Sequence, residues 1–539
     1  MHRRPRLAAL VLFLALAILQ TWPLATSPAH LSRNDNADTV LNEWILAWVA
    51  HQAPRDPLHL YDANIFYPAR DTLAYSESMI VQGIMAMPLF AAGASPVLVY
   101  NLLLLAGFTL TGWVMCLVIA DWTGDWVAGV GAGVLMAFNA HTLTRLPHMQ
   151  AQHVEFLPLA LVALDALLRA PRVRHAVWLA VWFVLQGLTS NYLLVFTATA
   201  LVVATLARPE DWWGRRRVLA LAPYAGLAIL LSGIVLVPFM LPYVHAYRDL
   251  GLVRSLQDVA LYSASWRDYL TTPARFHYWL WSHLVFSSTG LFPGLVGIVL
   301  SGIALATGAL RDRRARMCLA FGVCGVILSF GPAVPGYAVL YHLLPPLQGI
   351  RGAARFGYLG LVAVAVLGGF GLAALRRRLP AGRARLVVSG AVLALLVLEP
   401  LSIPIDYVPF GRISPVYRTL RLAPDGAVVE FPMYPPGHPI DNARYMLNST
   451  VYWKPLVNGY SGYLPPSYNR QYDAFGDFPA AGALAALRAT GVKYVFVHFD
   501  AIGESAAEAI RRSPALAEIA ADGPITLYRL RPADGGIPR

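Results

Sequence analysis

Charge is scarce in this chain. Asp, Glu, Lys and Arg together make up 13% of its 539 residues, about half the ~25% of a typical soluble domain. A wholly soluble globular protein is therefore excluded. Cysteine is scarcer still. Cys116, Cys318 and Cys324 all lie in apolar runs, so there is no disulfide framework and no CxxC metal site. There is no internal repeat, and low complexity is confined to the terminal "PADGGIPR".

What fills the chain is apolar sequence, 57% of all residues, with a mean hydropathy of +0.53. It arrives in runs near 7–24, 96–120, 126–140, 153–169, 175–188, 190–207, 218–241, 285–308, 317–331, 356–375 and 386–404. A bilayer crossing needs ~20 residues of helix, so these runs predict an α-helical polytopic membrane protein with about eleven spans. The net charge of +12 does not indicate nucleic acid, because the arginines sit in short clusters between the runs: 3–6, 169–175, 215–217, 311–316 and 376–385. If the N-terminus is cytoplasmic and each run crosses once, all five clusters fall on the cytoplasmic side, as the positive-inside rule requires. A cleaved signal peptide is the rival reading of the first run; the segment after it is delivered outside either way. The stretch "MIVQGIMAMPLF" (79–90) is too short to cross, and counting it would put four of the five clusters outside. It is expected to lie in the interface or to dip into the membrane.

On this parity the first extracytoplasmic loop covers residues 27–95, and further outside loops cover 141–152, about 242–284 and 332–355. The transmembrane domain is expected over 1–404 and an extracytoplasmic α/β domain over 405–539. In that domain "AVVEFPM" (427–433), "VKYVFVHFD" (492–500) and "ITLYRL" (525–530) read as strands. A helix is expected over 480–491, ending at Gly491, with one or two more over 505–523. "NST" (448–450) fits the N-glycosylation pattern but is too short a motif to carry weight.

The outside loops carry the chemistry. "SRNDNADTVLNEWILAWVAH" (32–51) holds Asp35, Asp38 and Glu43. Asp38 or Asn36 can cap a helix starting near Thr39. Leu41, Trp44, Ile45 and Trp48 share one face of that helix, the pattern of a helix lying at headgroup level. Asp62, Asp71 and Glu77 follow in 61–78. "NAHTLTRLPHMQAQHVEF" (139–156) contributes His141, Arg145, His148, Gln150, Gln152, His153 and Glu155, and "IRGAARFGY" (350–358) contributes Arg351 and Arg355. Carboxylates with outward-facing arginines suit a site that binds a phosphate ester and deprotonates a hydroxyl. The His spacings of seven and five do not match a helical zinc pair; a divalent metal or a sugar remains open for that loop. The aromatic stretch 451–475 offers faces for sugar rings or for packing against the loops.

Taken together, the first span, the long first loop with early Asp residues, its amphipathic helices, the many spans and the outer domain resemble the GT-C superfamily of integral-membrane glycosyltransferases. "DTVLNEWILAWVAH", "NIFYPARDTLAYSES" and "RGAARFGYLG" look like a bacterial branch of it. Protein O-mannosyltransferases, oligosaccharyltransferases and lipid A aminoarabinose transferases share this plan. The resemblance covers residues 1–404 by architecture; by motif it is narrower, since the family's adjacent acidic pair is here Asp35 and Asp38, separated by "NA". It implies an inverting transfer from a polyprenyl-phosphate-linked sugar to a lipid, glycan or protein acceptor, outside the plasma (inner) membrane. Asp38 is the favoured base and Asp35 the second candidate. Arg351 and Arg355 would hold the leaving phosphate, and Glu77, His148 and His153 would contact substrate. Membrane lipids are the remaining partners and nucleic acid is not one.

A transporter or flippase is the rival class. It would show inverted repeats and polar groups near the bilayer midplane; here Asp165 and Glu399 sit near run ends. A non-catalytic envelope-glycan assembly protein, working through its outer domain, is the third. The topology is testable: a reporter active only outside the membrane should be active when fused after Arg539 and silent within "RDRRAR" (311–316). A silent C-terminal fusion would place the α/β domain in the cytoplasm.

Overall fold

The computed structural model describes residues 3–33, 37–251 and 254–532. The chain forms two compact units: Met1–Pro28, Asn101–Phe239 and Val253–Tyr407 in the first, and Ala29–Tyr100, Met240–Leu252 and Val408–Arg539 in the second.

The first unit is helical. A helix stands at each of the eleven apolar runs. Among the described residues, five helical segments are long and apolar enough to cross a membrane: Pro96–Thr123, Trp126–Thr144, Met149–Arg169, Arg215–Arg248 and Ala353–Arg378. Val173–Thr189, Asn191–Leu206 and Leu295–Ala306 are apolar but shorter. The run expected at 285–308 yields a helix only from Leu295. Pro293 lacks an N–H and Gly294 sits at φ +81°, so the preceding residues cannot join its hydrogen-bond ladder.

The Tyr358–Arg378 helix is the hub, packing on Trp126–Ala137, Leu295–Ala306 and Arg313–Ser329. Its "GLVAVAVLGGFG" sequence explains this, because small residues let helix backbones approach closely. A Cβ at Gly369 would lie 2.6 Å from Ile119, and one at Gly371 would collide with the Leu300 carbonyl. At the Arg-rich end, Arg376 Nε pairs with Asp125 at 2.7 Å.

Residues 139–156 are fixed from inside. The Asn139 side chain accepts from Thr142 N–H and the Thr142 hydroxyl accepts from Asn139 N–H, a capping box. Gln152 Nε2 donates to the Thr142 carbonyl at 2.7 Å, and Gln186 Nε2 donates to the His153 carbonyl at 3.0 Å.

The second unit is built on a four-stranded sheet: β1 (Ala427–Phe431), β2 (Val492–His498), β3 (Leu516–Asp522) and β4 (Ile525–Leu530), in the order β1-β2-β4-β3. β1 and β2 are parallel and the other pairs antiparallel. β3 falls where only helix was expected. The Ala- and Glu-rich stretch is drawn into a hairpin with β4 across Gly523, at φ +57°, and tertiary pairing overrides its helix propensity. The helix expected there is confined to Glu504–Arg512.

Residues 64–67 of the first loop run along 454–458: Leu456 N–H donates to the Asn64 carbonyl, and Tyr67 N–H to that of Leu456. Val428 N–H in turn donates to the Pro455 carbonyl, joining this ladder to β1. The Asp38–Gln52 helix is present, but it is not a headgroup-level helix with one wet face. Twelve of its fifteen residues are buried, Trp44, Trp48 and Asn42 among them, because it packs on Ile80–Ala91 and Asn442–Ser449. Ile80–Ala91, with twelve residues, is about 18 Å long, short of the ~30 Å core.

Gly371→Ala should lower stability by about 1–3 kcal/mol through overpacking, read as a lower thermal midpoint in detergent. Gly390→Ala, in the Arg383–Leu398 helix with a Cβ that would meet nothing within 4 Å, should not lower the midpoint and should raise it slightly, since Ala favours helix over Gly by up to ~1 kcal/mol.

Candidate active site

The Asp38–Gln52 helix opens after Ala37, which is in the left-handed region at φ +64° and makes no side-chain cap. Asp38 is thus the first helical residue rather than the cap, a place where the free N–H groups and helix dipole favour a carboxylate. Its position is held by the Tyr460 hydroxyl, which donates to Asp38 Oδ1 at 2.9 Å. Tyr460 follows Asn458, whose side chain accepts from Glu430 N–H at 2.8 Å and donates to its carbonyl at 2.9 Å. The half-buried Asp38 is therefore tied through one short segment to β1. Asp35 lies outside the described residues.

One turn further on, Glu43 is wholly buried. The Ser32 hydroxyl donates to Oε1 at 3.4 Å, and Oε2 has no hydrogen-bond partner among the described residues. Burial pushes the carboxyl up to about 8, against the Arg444 guanidinium and Ser32, which favour ionisation. Arg444 lies on the Phe410 ring at 4.2 Å and donates to the Gly411 carbonyl at 3.0 Å. A second buried carboxylate, Glu430 on β1, accepts from the Tyr417 hydroxyl at 2.6 Å and pairs with His498 Nε2 at 2.7 Å. Its pKa is raised by burial, opposed by His498 and Tyr417.

Glu77 is half-buried in the same unit. The Tyr243 hydroxyl fixes the backbone on both sides of it, donating to the Ser76 carbonyl and accepting from Ser78 N–H, each at 3.1 Å. The aromatic stretch 451–475 is used for packing: Trp453 stacks on His51 at 4.2 Å and Tyr468 meets Phe66 edge-on at 5.7 Å.

The other expected site residues belong to the first unit. His153 is fully buried. Its Nε2–H donates to the Leu103 carbonyl at 2.9 Å, and Nδ1 shares a proton with Glu155 Oε1 at 3.0 Å. Both ring nitrogens are used inside the protein, which makes His153 a support of the loop. His148 is half-buried and, with Arg145 and Arg355, lies within electrostatic reach of the buried His141. Arg351 and Arg355 are each laid over a tyrosine ring, Tyr262 and Tyr192 respectively, at 4.3 Å. Neither forms a salt bridge among the described residues, and Asp258 lies within electrostatic reach of Arg351. Cation–π contact orients a guanidinium while leaving its edge N–H donors for an anion.

Asp38, Glu77 and Glu43 thus share one unit, and Arg351, Arg355, His148 and His153 the other. Among the described residues no group of three or more His, Cys, Asp or Glu side chains could hold a metal ion. Sequence reasoning missed Tyr460, Arg444, Tyr192 and Tyr262. Tyr460 is 422 positions from its partner, and no local spacing signals such a pair.

Glu43 gives the second unit a pH signature. The native state holds the Glu43 proton more tightly than the unfolded chain, so stability should fall as pH rises from the ordinary 4.5 towards about 8. The contribution is at most about 1.4 kcal/mol per pH unit for one proton. Glu43→Gln should flatten the fall in thermal midpoint between pH 5 and 8, leaving only the remainder from groups such as Glu430. An unchanged slope would show that Glu43 is ionised in the native state.

No protein-family model matches the sequence, and no curated protein matches it. Solved structures do. The arabinofuranosyltransferase AftD from mycobacteria aligns over 99% of this chain and 40% of its own, with a TM-score of 0.64 and 16% identity. The archaeal oligosaccharyltransferase AglB from Archaeoglobus fulgidus, solved with an inhibitory peptide and a dolichol-phosphate, aligns over 92% of this chain and 69% of its own, with a TM-score of 0.51 and 13% identity. The chain therefore spans well under half the length of AftD. The likeness read from the sequence holds in three dimensions at the level of fold: over nearly its whole length this chain shares the fold of these two glycosyltransferase structures.

Proposed function

We propose that this protein transfers a sugar from a polyprenyl-phosphate-linked donor to an acceptor on the extracytoplasmic face of the inner membrane. The observation that carries the reading is Asp38. It is a carboxylate at the start of a buried helix in the first loop, held by Tyr460, in a chain with the fold of two glycosyltransferases. The dolichol-phosphate in the AglB structure is the kind of leaving group the reading needs. The eleven spans, the cytoplasmic N-terminus and the outer placement of the α/β domain belong to the same proposal, and the five basic clusters support them.

The reaction is a single displacement. The acceptor O–H gives its proton to the Asp38 carboxylate. Its oxygen forms a bond to the anomeric carbon as the bond to the lipid phosphate breaks, inverting the configuration. The phosphate leaves as an anion, and Arg351 and Arg355, which form no salt bridge among the described residues, are the proposed groups that hold it. Arginine suits this role because its planar fork matches phosphate oxygens. Tyr460 keeps the carboxylate aimed, and a held carboxylate is what general base catalysis requires.

Asp38→Asn keeps the size of the side chain and removes its basicity. Transfer should fall by ~100-fold or more, the scale of a lost general base, while binding of the lipid-phosphate donor persists. Arg355→Gln should do the reverse, weakening donor binding more than turnover. Full activity in Asp38→Asn and in its double mutant with Asp35→Asn would overturn the reading.

A further inference from the structure

An apolar groove of about 520 Å³ runs along the first unit between the Phe156–Arg169, Val173–Thr189, Asn191–Leu206 and Arg215–Leu250 helices. Leu168, Leu179, Phe183, Leu201, Ala225 and Leu236 are among its walls, and only Thr205 and Ser232 add polar groups. The groove exists because the Arg215–Leu250 helix touches its neighbours at few points, with Ala228 packed near Leu167 and Ala176. Elsewhere it stands off: a Cβ at Gly226 or Gly233 would meet nothing within 4 Å. From Leu221 to Leu236 the lining extends over sixteen residues, about 22 Å of helix, enough for an acyl chain in one half of a ~30 Å hydrocarbon core.

One end of this groove is strongly basic. The turns 169–173 and 207–214 meet there, since Arg208 Nη1 pairs with Asp165 at 2.5 Å. The carboxylates at that end are already used: Asp165 also takes Arg169, Asp211 takes Arg208 and Arg313, and Glu210 takes Arg313 and Arg316. Arg172, Arg174, Arg215 and Arg216 are exposed and have no carboxylate partner among the described residues. Trp213 stands beside Arg215 and is 71% exposed, as tryptophans at the headgroup level are.

We propose that the groove is a seat for one anionic phospholipid. An acyl chain lies along the Arg215–Leu250 helix, and the phosphate and its second anionic or polar headgroup face Arg215, Arg216 and Arg172. The apolar walls select a chain, and the unpaired guanidiniums select negative charge over a zwitterion. The seat does not depend on the transfer reaction.

The test uses the full chain in nanodiscs of equimolar phosphatidylglycerol and phosphatidylethanolamine, extracted into mild detergent and weighed by native mass spectrometry. Phosphatidylglycerol should be retained about tenfold over phosphatidylethanolamine, as two arginines near a phosphate imply. The R215Q/R216Q double variant should lose the preference, and Gly233→Trp, which fills open space without disturbing packing, should lose the lipid itself. Equal retention of both lipids by the wild type, or an unchanged preference in both variants, would show an ordinary lipid annulus and overturn the proposal.

Discussion

A polar group withdrawn from water needs a partner, and in this chain the supply of partners decides what each segment does. The pair of His153 with Glu155, at 3.0 Å, is the clearest case. It sits in an apolar helical unit where an unpaired imidazole or carboxyl would cost several kcal/mol. Around it, Gln152 donates to the Thr142 carbonyl, Gln186 to the His153 carbonyl, and the Thr111 hydroxyl accepts from Val154 N–H, and these bonds stiffen the loop. Where partners run short, reactive capacity is left over. Arg351 and Arg355 lie on tyrosine faces with no salt bridge among the described residues, and Glu43 has an oxygen with no donor among them.

Rigidity in the helical unit comes from small residues rather than from large ones. The Tyr358–Arg378 helix is buried over most of its length and lets three neighbours approach its glycine and alanine surface. Close backbone contact of this kind fixes helix positions without specific polar pairs. It also fixes Arg355, which lies in the 3-10 turn directly before that helix. In the second unit the corresponding anchor is the ladder from residues 64–67 through 454–458 to β1, which brings the Tyr460 segment to the start of the Asp38–Gln52 helix.

Much of this was legible from the residues. Apolar runs locate helices because their length and composition leave no other solution in lipid, and all eleven coincide with helical segments. The fold class followed from their number together with the long acidic first loop. Three features were not legible. β3 reads as helix by composition, and only its pairing with β4 explains it. The Trp face of residues 39–51 reads as interfacial because a sequence shows one helix's pattern and not the neighbours that cover it. The Tyr460 hydrogen bond to Asp38, like the tyrosines beneath Arg351 and Arg355, joins distant segments that no periodicity connects.

The central claim is that the carboxylate opening the Asp38–Gln52 helix faces the reacting sugar. A structure of the full chain bound to a non-transferable polyprenyl-phosphate sugar and an acceptor tests it most directly. The account predicts the acceptor hydroxyl within hydrogen-bond reach of Asp38, ~2.6–3.2 Å, with its oxygen between that carboxylate and the anomeric carbon. A sugar seated away from the first loop, with the Asp38–Tyr460 hydrogen bond unchanged, would contradict it.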